Sequence, residues 1–272
     1  MSLGKINDIS KRKENYINSK VKTLDKEVLK LQDKLLSMVL SDYIPKFTTD
    51  NTGNIKLTKH NIALIYEIDK IFSNFNKLYQ NNVIKKYAED LLKLTPFNEA
   101  YYIGLGIEAK TVDNLVNKSE IVKASIGVDA KGRVIKGSYL DDLSQNAEVK
   151  KSIKNYVIES VNSKRGLKDY TKGLKTLIVG NEQVDGKLQR YYKQYAYDTF
   201  NQVDAAQNLY VADNLGLQAF IYAGTIILTS RQFCKDRVGK VFTREEGQSW
   251  NKLKWQGQKK PANFFIDRGG YG

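Results

Sequence analysis

The chain has 272 residues, 41% of them hydrophobic and 11% aromatic, which is enough for one large or two ordinary folded domains and argues against global disorder. It is strongly basic, with 44 Lys and Arg against 30 Asp and Glu and a net charge of +14. A single cysteine, Cys234, and a single histidine, His60, exclude an intrachain disulfide and a thiolate zinc site, and argue against a Ser-His-Asp triad.

Only three prolines (Pro45, Pro96, Pro261) interrupt the chain, which favours long helices. No apolar run reaches the roughly 18–20 residues of a membrane span. Met1-Ser2-Leu3-Gly4-Lys5 lacks the apolar core of a signal peptide, so the expectation is a protein made and used inside a cell, without membrane contact. The expected fold class is mainly α with α+β character: a long N-terminal helical hairpin over residues 1–95, then a compact helical domain with a small antiparallel sheet over 96–272.

The spacing predicts one long helix over residues 5–43. Leu24, Val28, Leu31, Leu35, Val39 and Tyr43 recur at steps of three and four and form one apolar stripe. Pro45 and the run Thr48–Asn54 end that helix in a turn. Thr58 is the predicted N-cap of a second helix through Ile62, Ile65, Ile68, Phe72, Phe75 and Tyr79. Asn81-Asn82 is expected to break it before a shorter helical piece with Val83, Tyr87 and Leu91. The two stripes exceed what a short hairpin needs internally, which predicts a docking or oligomerisation arm.

Residues 96–125 read as helical, with Gly104 and Gly106 weakening the start. Gly127 to Gly137 supplies turn chemistry around a brief extended stretch. Three helices follow: Asp141–Ser163, Leu167–Val179, and Gly186–Leu215 with Gly216 suited to its C′ position. Leu217–Gly224 and Thr225–Thr229 have strand composition and are expected to pair antiparallel, with Gly224 as the bend.

Little in the chain points to a reaction. Gly104-Leu105-Gly106 does not extend to a dinucleotide fingerprint, and there is no P-loop pattern. Asp141-Asp142 fits a helix start, where negative charge is welcome. Tyr191, Tyr192, Tyr195 and Tyr197 alternate with Lys187, Arg190 and Lys193, a pattern compatible with stacking on single-stranded bases; the packing of a half-buried helix flank is the preferred reading. A Cys234–His60 dyad is a formal alternative to a small buried thiol and a helix-start histidine. The basic residues are spread along the chain, so a lysine-rich solvated surface competes with a polyanion-binding one.

The C-terminal segment is different in kind. It opens with Thr229-Ser230-Arg231-Gln232-Phe233-Cys234-Lys235-Asp236-Arg237-Val238-Gly239-Lys240-Val241-Phe242-Thr243, continues through Glu245, Glu246 and Trp250, and closes on Phe265-Ile266-Asp267-Arg268-Gly269-Gly270-Tyr271-Gly272. Taken alone, Arg231, Phe233, Cys234, Arg237, Phe242, Trp250 and Trp255 describe a small aromatic core fringed by basic residues. Thr243 and Glu246 have capping-box spacing before the Trp250 helix.

In order, this segment resembles the C-terminal part of the phage minor head proteins of the Mu F-like head morphogenesis family. That family shows an Arg-x-Phe-Cys segment, a Gly-Lys-x-Phe-Thr turn (here Gly239, Lys240, Phe242 and Thr243), a Trp-bearing helix and a Gly-Gly-Tyr ending. The resemblance is clearest over residues 185–272. It implies a structural, non-enzymatic protein without cofactor or metal, incorporated at low copy as a multimer inside the capsid near the portal after assembly in the host cytoplasm. Its implied partners are the portal protein, the major capsid protein and double-stranded DNA bound without sequence preference. Here Gly272 closes the chain where similar sequences continue into a short Cys/His-bearing tail. The competing expectation is a nucleic-acid-acting enzyme or toxin-related module using Arg231, Arg237, Glu245, Glu246 and Tyr271.

Overall fold

The computed structural model describes residues 3–79, 83–117, 127–129, 133–222, 228, 230–253 and 264–267. The fold is mainly α with one two-stranded antiparallel sheet. In chain order the helices are α1 (Leu3–Asp42), α2 (Lys59–Tyr79), α3 (Lys85–Leu92), α4 (Thr95–Gly104), α5 (Ala109–Asn117), α6 (Tyr139–Gln145), α7 (Ala147–Asn162), α8 (Leu167–Val179) and α9 (Lys187–Asn214). After these come β1 (Ala219–Ile221), α10 (Gln232–Lys235), β2 (Val241–Thr243), α11 (Arg244–Ser249) and α12 (Phe264–Asp267). No helix among the described residues is long and apolar enough to cross a membrane.

The chain divides into two compact units that are interleaved in sequence. One comprises Arg12–Leu92 and Ile126–Asp198; the other comprises Met1–Lys11, Lys93–Ser125 and Thr199–Gly272. These units do not coincide with a division at residue 95.

The first unit is built on the α1 stripe. Leu24, Val28, Leu31, Leu35, Val39 and Tyr43 are all buried, as are Ile68, Phe72, Phe75 and Tyr79 of α2. The α1 stripe is therefore covered within the chain, whereas Ile62 at the start of the α2 stripe remains exposed. Ring contacts continue the core: Phe75 stacks on Tyr79 at 6.1 Å, and Tyr79 meets Tyr192 at 5.1 Å. Tyr156 stacks on Tyr170 at 5.6 Å, an approach that requires Gly173, where an added Cβ would lie 2.0 Å from the Tyr156 hydroxyl.

Buried polar groups fix the register of these helices. Gln32 of α1 donates to the Val179 carbonyl at 3.2 Å and accepts from the Gln189 N–H at 3.3 Å. Asn61, fully buried at the start of α2, accepts from the Thr48 N–H and donates to the Thr48 and Lys56 carbonyls. Asp90 of α3 pairs with Lys20 at 3.1 Å, and its carbonyl accepts from the Tyr16 hydroxyl at 2.9 Å. The Thr58 cap is present, with its hydroxyl accepting from the Asn61 N–H at 3.2 Å. The preceding turn is closed by Asp50, whose carboxylate accepts from Thr52 and Asn54.

Three expectations about element boundaries are corrected. The helix expected over 141–163 is two helices. Asn146 between them is left-handed at φ 51°, and its amide donates to Asn76 and to the Ser144 carbonyl. Asn tolerates this conformation through such local hydrogen bonds. The helix expected from 96 onward also breaks, after Gly104, where Gly106 takes φ 92°. Finally, the stretch read as a Gly-Lys-x-Phe-Thr turn holds a strand, Val241–Thr243, with which β1 pairs. Apart from Leu228, the expected strand at 225–229 lies outside the described residues, as does the Asn81-Asn82 break.

In the second unit, Tyr102, Val112 and Val211 form a small core between α4, α5 and the latter part of α9. Asn98, fully buried, donates to Gln207 at 2.8 Å, and the Tyr102 hydroxyl donates to the Asn208 carbonyl at 3.1 Å.

Phe75→Ala, at a side chain with no exposed surface, is expected to lower unfolding free energy by about 3–5 kcal/mol. Leu29→Ala on the outer side of α1 should change it by less than about 0.5 kcal/mol. Urea denaturation of the two variants beside the parent chain measures both.

Candidate functional site

Among the described residues, the sequence-predicted site residues that come together are those of the C-terminal aromatic core. β1 and β2 pair in the register Ala219↔Thr243, Phe220↔Phe242 and Ile221↔Val241. Strand alternation turns Phe220 and Phe242 to one face and leaves their neighbours exposed on the other. The turn into β2 uses Gly239 at φ 80°, whose N–H donates to the Tyr222 carbonyl at 2.9 Å; the Lys240 carbonyl accepts from the Tyr222 N–H at 3.0 Å. The Lys240 side chain is exposed.

Phe233 on α10, Trp250 after α11 and Phe264 on α12 are the buried centre, with Phe220, Tyr222, Cys234, Phe242 and Phe265 around them. Trp250 is the hub. Its ring lies 4.6 Å from Phe264, 4.8 Å from Phe242, 5.5 Å from Phe233, 5.7 Å from Phe220 and 6.1 Å from Tyr222, all edge-on. That is the geometry the ring quadrupole favours. The Phe264 N–H donates to the Asn251 side-chain oxygen at 2.6 Å, which ties α12 to the Trp250 turn.

The polar members of the motif are engaged in holding this core. The Arg237 guanidinium lies 3.9 Å from the Phe233 ring centroid and 4.8 Å from that of Trp250, and donates to the Phe233 carbonyl at 3.0 Å. The Arg231 carbonyl accepts from the Cys234 and Lys235 N–H groups and so begins α10. Thr243 and Glu246 form the expected capping box: the Thr243 hydroxyl accepts from the Glu246 N–H at 3.2 Å, and the Glu246 carboxylate from the Thr243 N–H at 2.7 Å. The Cys234 sulfur is partly exposed and accepts from the Tyr222 hydroxyl at 3.3 Å. Burial first, then the bond to Cys234, raises the Tyr222 phenol well above its ordinary value, so it stays protonated at neutral pH. Arg244 pairs with Asp213.

Gly269, Gly270, Tyr271 and Trp255 lie outside the described residues. Three contributors were not singled out from sequence. Phe220 and Phe264 lie in short apolar runs that carry no periodicity. Gly247 is required by packing: an added Cβ would meet Phe265 at 2.6 Å and Phe220 at 2.8 Å. A glycine inside a short helix beside aromatics was the one signal available for it.

The remaining candidates are accounted for locally. His60 hydrogen-bonds the Lys46 carbonyl through Nε2 at 2.8 Å. The Asp141 carboxylate accepts from the Gly137 N–H at 2.8 Å, and the Asp141 N–H meets the Ser138 cap at 3.3 Å, as a helix start requires. Tyr192 is buried and donates to the Leu143 carbonyl at 2.7 Å, so the packing reading of the tyrosine run applies to it; the Tyr195 and Tyr197 side chains are outside the described set. No group of three or more His, Cys, Asp or Glu side chains suited to a metal ion occurs among the described residues.

No protein-family model, no curated protein and no solved structure matches the chain.

Trp250→Ala should lower stability by about 3–5 kcal/mol, and Phe242→Ala, at a partly exposed ring, by about 2 kcal/mol. Gly247→Ala should cost about 1–3 kcal/mol through overpacking, and Thr243→Ala about 1 kcal/mol through loss of the cap. Cys234→Ser should stay within about 1 kcal/mol of the parent. Thermal unfolding of the purified variants tests the ranking. A Trp250→Ala protein as stable as the parent would contradict the hub role.

Proposed function

We propose that the chain is a structural minor head protein of a tailed phage, a member by resemblance of the Mu F-like head morphogenesis group. It is incorporated at low copy inside the capsid near the portal and contacts packaged double-stranded DNA. One observation carries this reading. Phe233, Cys234, Arg237, Phe242 and Trp250, on which the resemblance rests, converge on one aromatic core, and the polar side chains of Arg237, Cys234 and Glu246 each have a structural task there. Arg237 stacks on two rings, Glu246 closes the capping box, and Cys234 receives the Tyr222 hydroxyl. An ordered motif maintained for a scaffold is expected to look like this. A catalytic site would hold its acid, base or nucleophile free to meet a substrate.

The portal protein and the major capsid protein are the proposed protein partners, met as a multimer within the particle.

Co-expression with the portal and major capsid proteins of the same genome tests the proposal. Purified particles should contain the chain at a small fraction of the capsid-protein amount, and its omission should lower the yield of filled heads. Particles that assemble and fill normally without it, and never contain it when it is supplied, would sink the reading. A purified chain that cleaves DNA, with the cleavage lost in Glu246→Gln while the fold persists, would favour the enzymatic alternative.

A further inference from the structure

The outer side of α1 carries a line of six exposed residues, Arg12, Asn15, Ser19, Lys22, Lys26 and Lys30, at steps of three, four, three, four and four. At 100° per residue these six fall within an arc of about 80°, and at 1.5 Å per residue they span about 27 Å. The next positions on the same line, Asp8 and Asp33, are both acidic and exposed, so the line is a bounded stretch free of carboxylates. The three carboxylates within residues 12–30 fall at least about 60° outside the arc. Of these, Asp25 accepts from Gln189 and Glu27 pairs with Lys30. Neither Lys22 nor Lys26 is in an ion pair with a described residue.

We propose that this line is the surface that binds duplex DNA, by its phosphates and without sequence preference. The proposal rests on the head-protein reading for the identity of the polyanion. The chemistry fits a phosphate backbone: four cationic side chains on a straight rod, with Asn15 and Ser19 between them as neutral hydrogen-bond donors. About 27 Å of helix matches roughly eight base pairs of duplex, enough for each cation to meet a phosphate. An anionic membrane surface is the poorer fit. A helix lying on lipid needs a free apolar side, and that of α1 is buried at Ile17, Leu24, Val28 and Leu35. The corresponding outer line of α2 alternates its lysines with Ile62 and Tyr66, and its Lys70 is paired with Glu67.

The test uses the full chain and fluorescence anisotropy with two unrelated duplexes of about 20 base pairs across a salt series. The Lys22→Gln, Lys26→Gln double variant keeps helix propensity and alters only exposed side chains, so its circular dichroism should match the parent. Its affinity should fall roughly tenfold at low salt for both duplexes, and the slope of log affinity against log salt should shrink by about 2. The Lys22→Arg, Lys26→Arg variant should bind as the parent does. A control with the same charge change, Lys151→Gln with Lys235→Gln, each beside an exposed carboxylate (Glu148, Asp236), should shift the slope by less than about 0.5. Equal losses in the control and the α1 variant would overturn the proposal in favour of diffuse charge. An unchanged α1 variant would overturn it outright. So would a loss confined to binding of phosphatidylserine vesicles, with duplex binding intact. A chain that never enters heads yet shows line-dependent duplex binding would instead sink the head reading and leave this surface standing.

Discussion

Burial of one side of α1 is the constraint on which the larger unit depends. A 40-residue helix is about 60 Å long, and its apolar residues from Leu24 to Tyr43 recur so regularly that only one rotation about the helix axis covers them all. That rotation brings Val28, Leu35 and Val39 to the core and turns the line from Arg12 to Lys30 to solvent. An apolar stripe alone tolerates sliding by a turn. The buried amide of Gln32 does not, because a shifted register would leave both its donor and its acceptor unmet. One polar residue in an apolar stripe therefore fixes how far along its neighbours α1 sits.

Much of this was legible from sequence because it rests on periodicity. The limits of α1, α2, α8 and α9 follow from stripes, the Thr58 cap and the glycines past helix ends, all local signals. The misses share a physical character. Asn146 breaks a helix because its buried side chain finds partners, Asn76 and the Ser144 carbonyl, that are distant in sequence or invisible to propensity. β2 is three residues long and is selected by Phe242 facing Phe220 across a sheet, a non-local contact that no short window contains. At the C-terminal motif the residue types were readable and the capping box was placed correctly. The Phe264 contact and the need for Gly247 arise only when the rings are assembled around Trp250.

The aromatic core shows how a small unit of short elements can hold together. α10, α11 and α12 have four, six and four residues, too short to be stable as isolated helices. Their order comes from rings that meet edge-on at Trp250 and from an arginine that covers two of those rings while bonding a main-chain carbonyl. An arginine suits this position because its planar, weakly hydrated guanidinium stacks where an ammonium would stay solvated. The charge on Arg237 is thus part of the fold, as is that of Arg244 beside Asp213.

Lys22 and Lys26 of α1 stand in the opposite relation to the fold. Lys22 and Lys26 are four residues apart on one face, as are Lys26 and Lys30, and like charges at that spacing destabilise a helix by about 0.2–0.5 kcal/mol per pair. The folded chain obtains no ion pair from Lys22 or Lys26 in return, and the apolar stems of exposed lysines on a solvent face bury little. The repulsion between Lys22 and Lys26 is relieved when a polyanion approaches, since neutralising the phosphates also removes it. Two groups of cations in this basic chain thus play opposite parts. Arg237 is fixed into the C-terminal core by stacking and Arg244 by its pairing with Asp213. Lys22 and Lys26 are held out on a helix whose buried side prevents them from turning away.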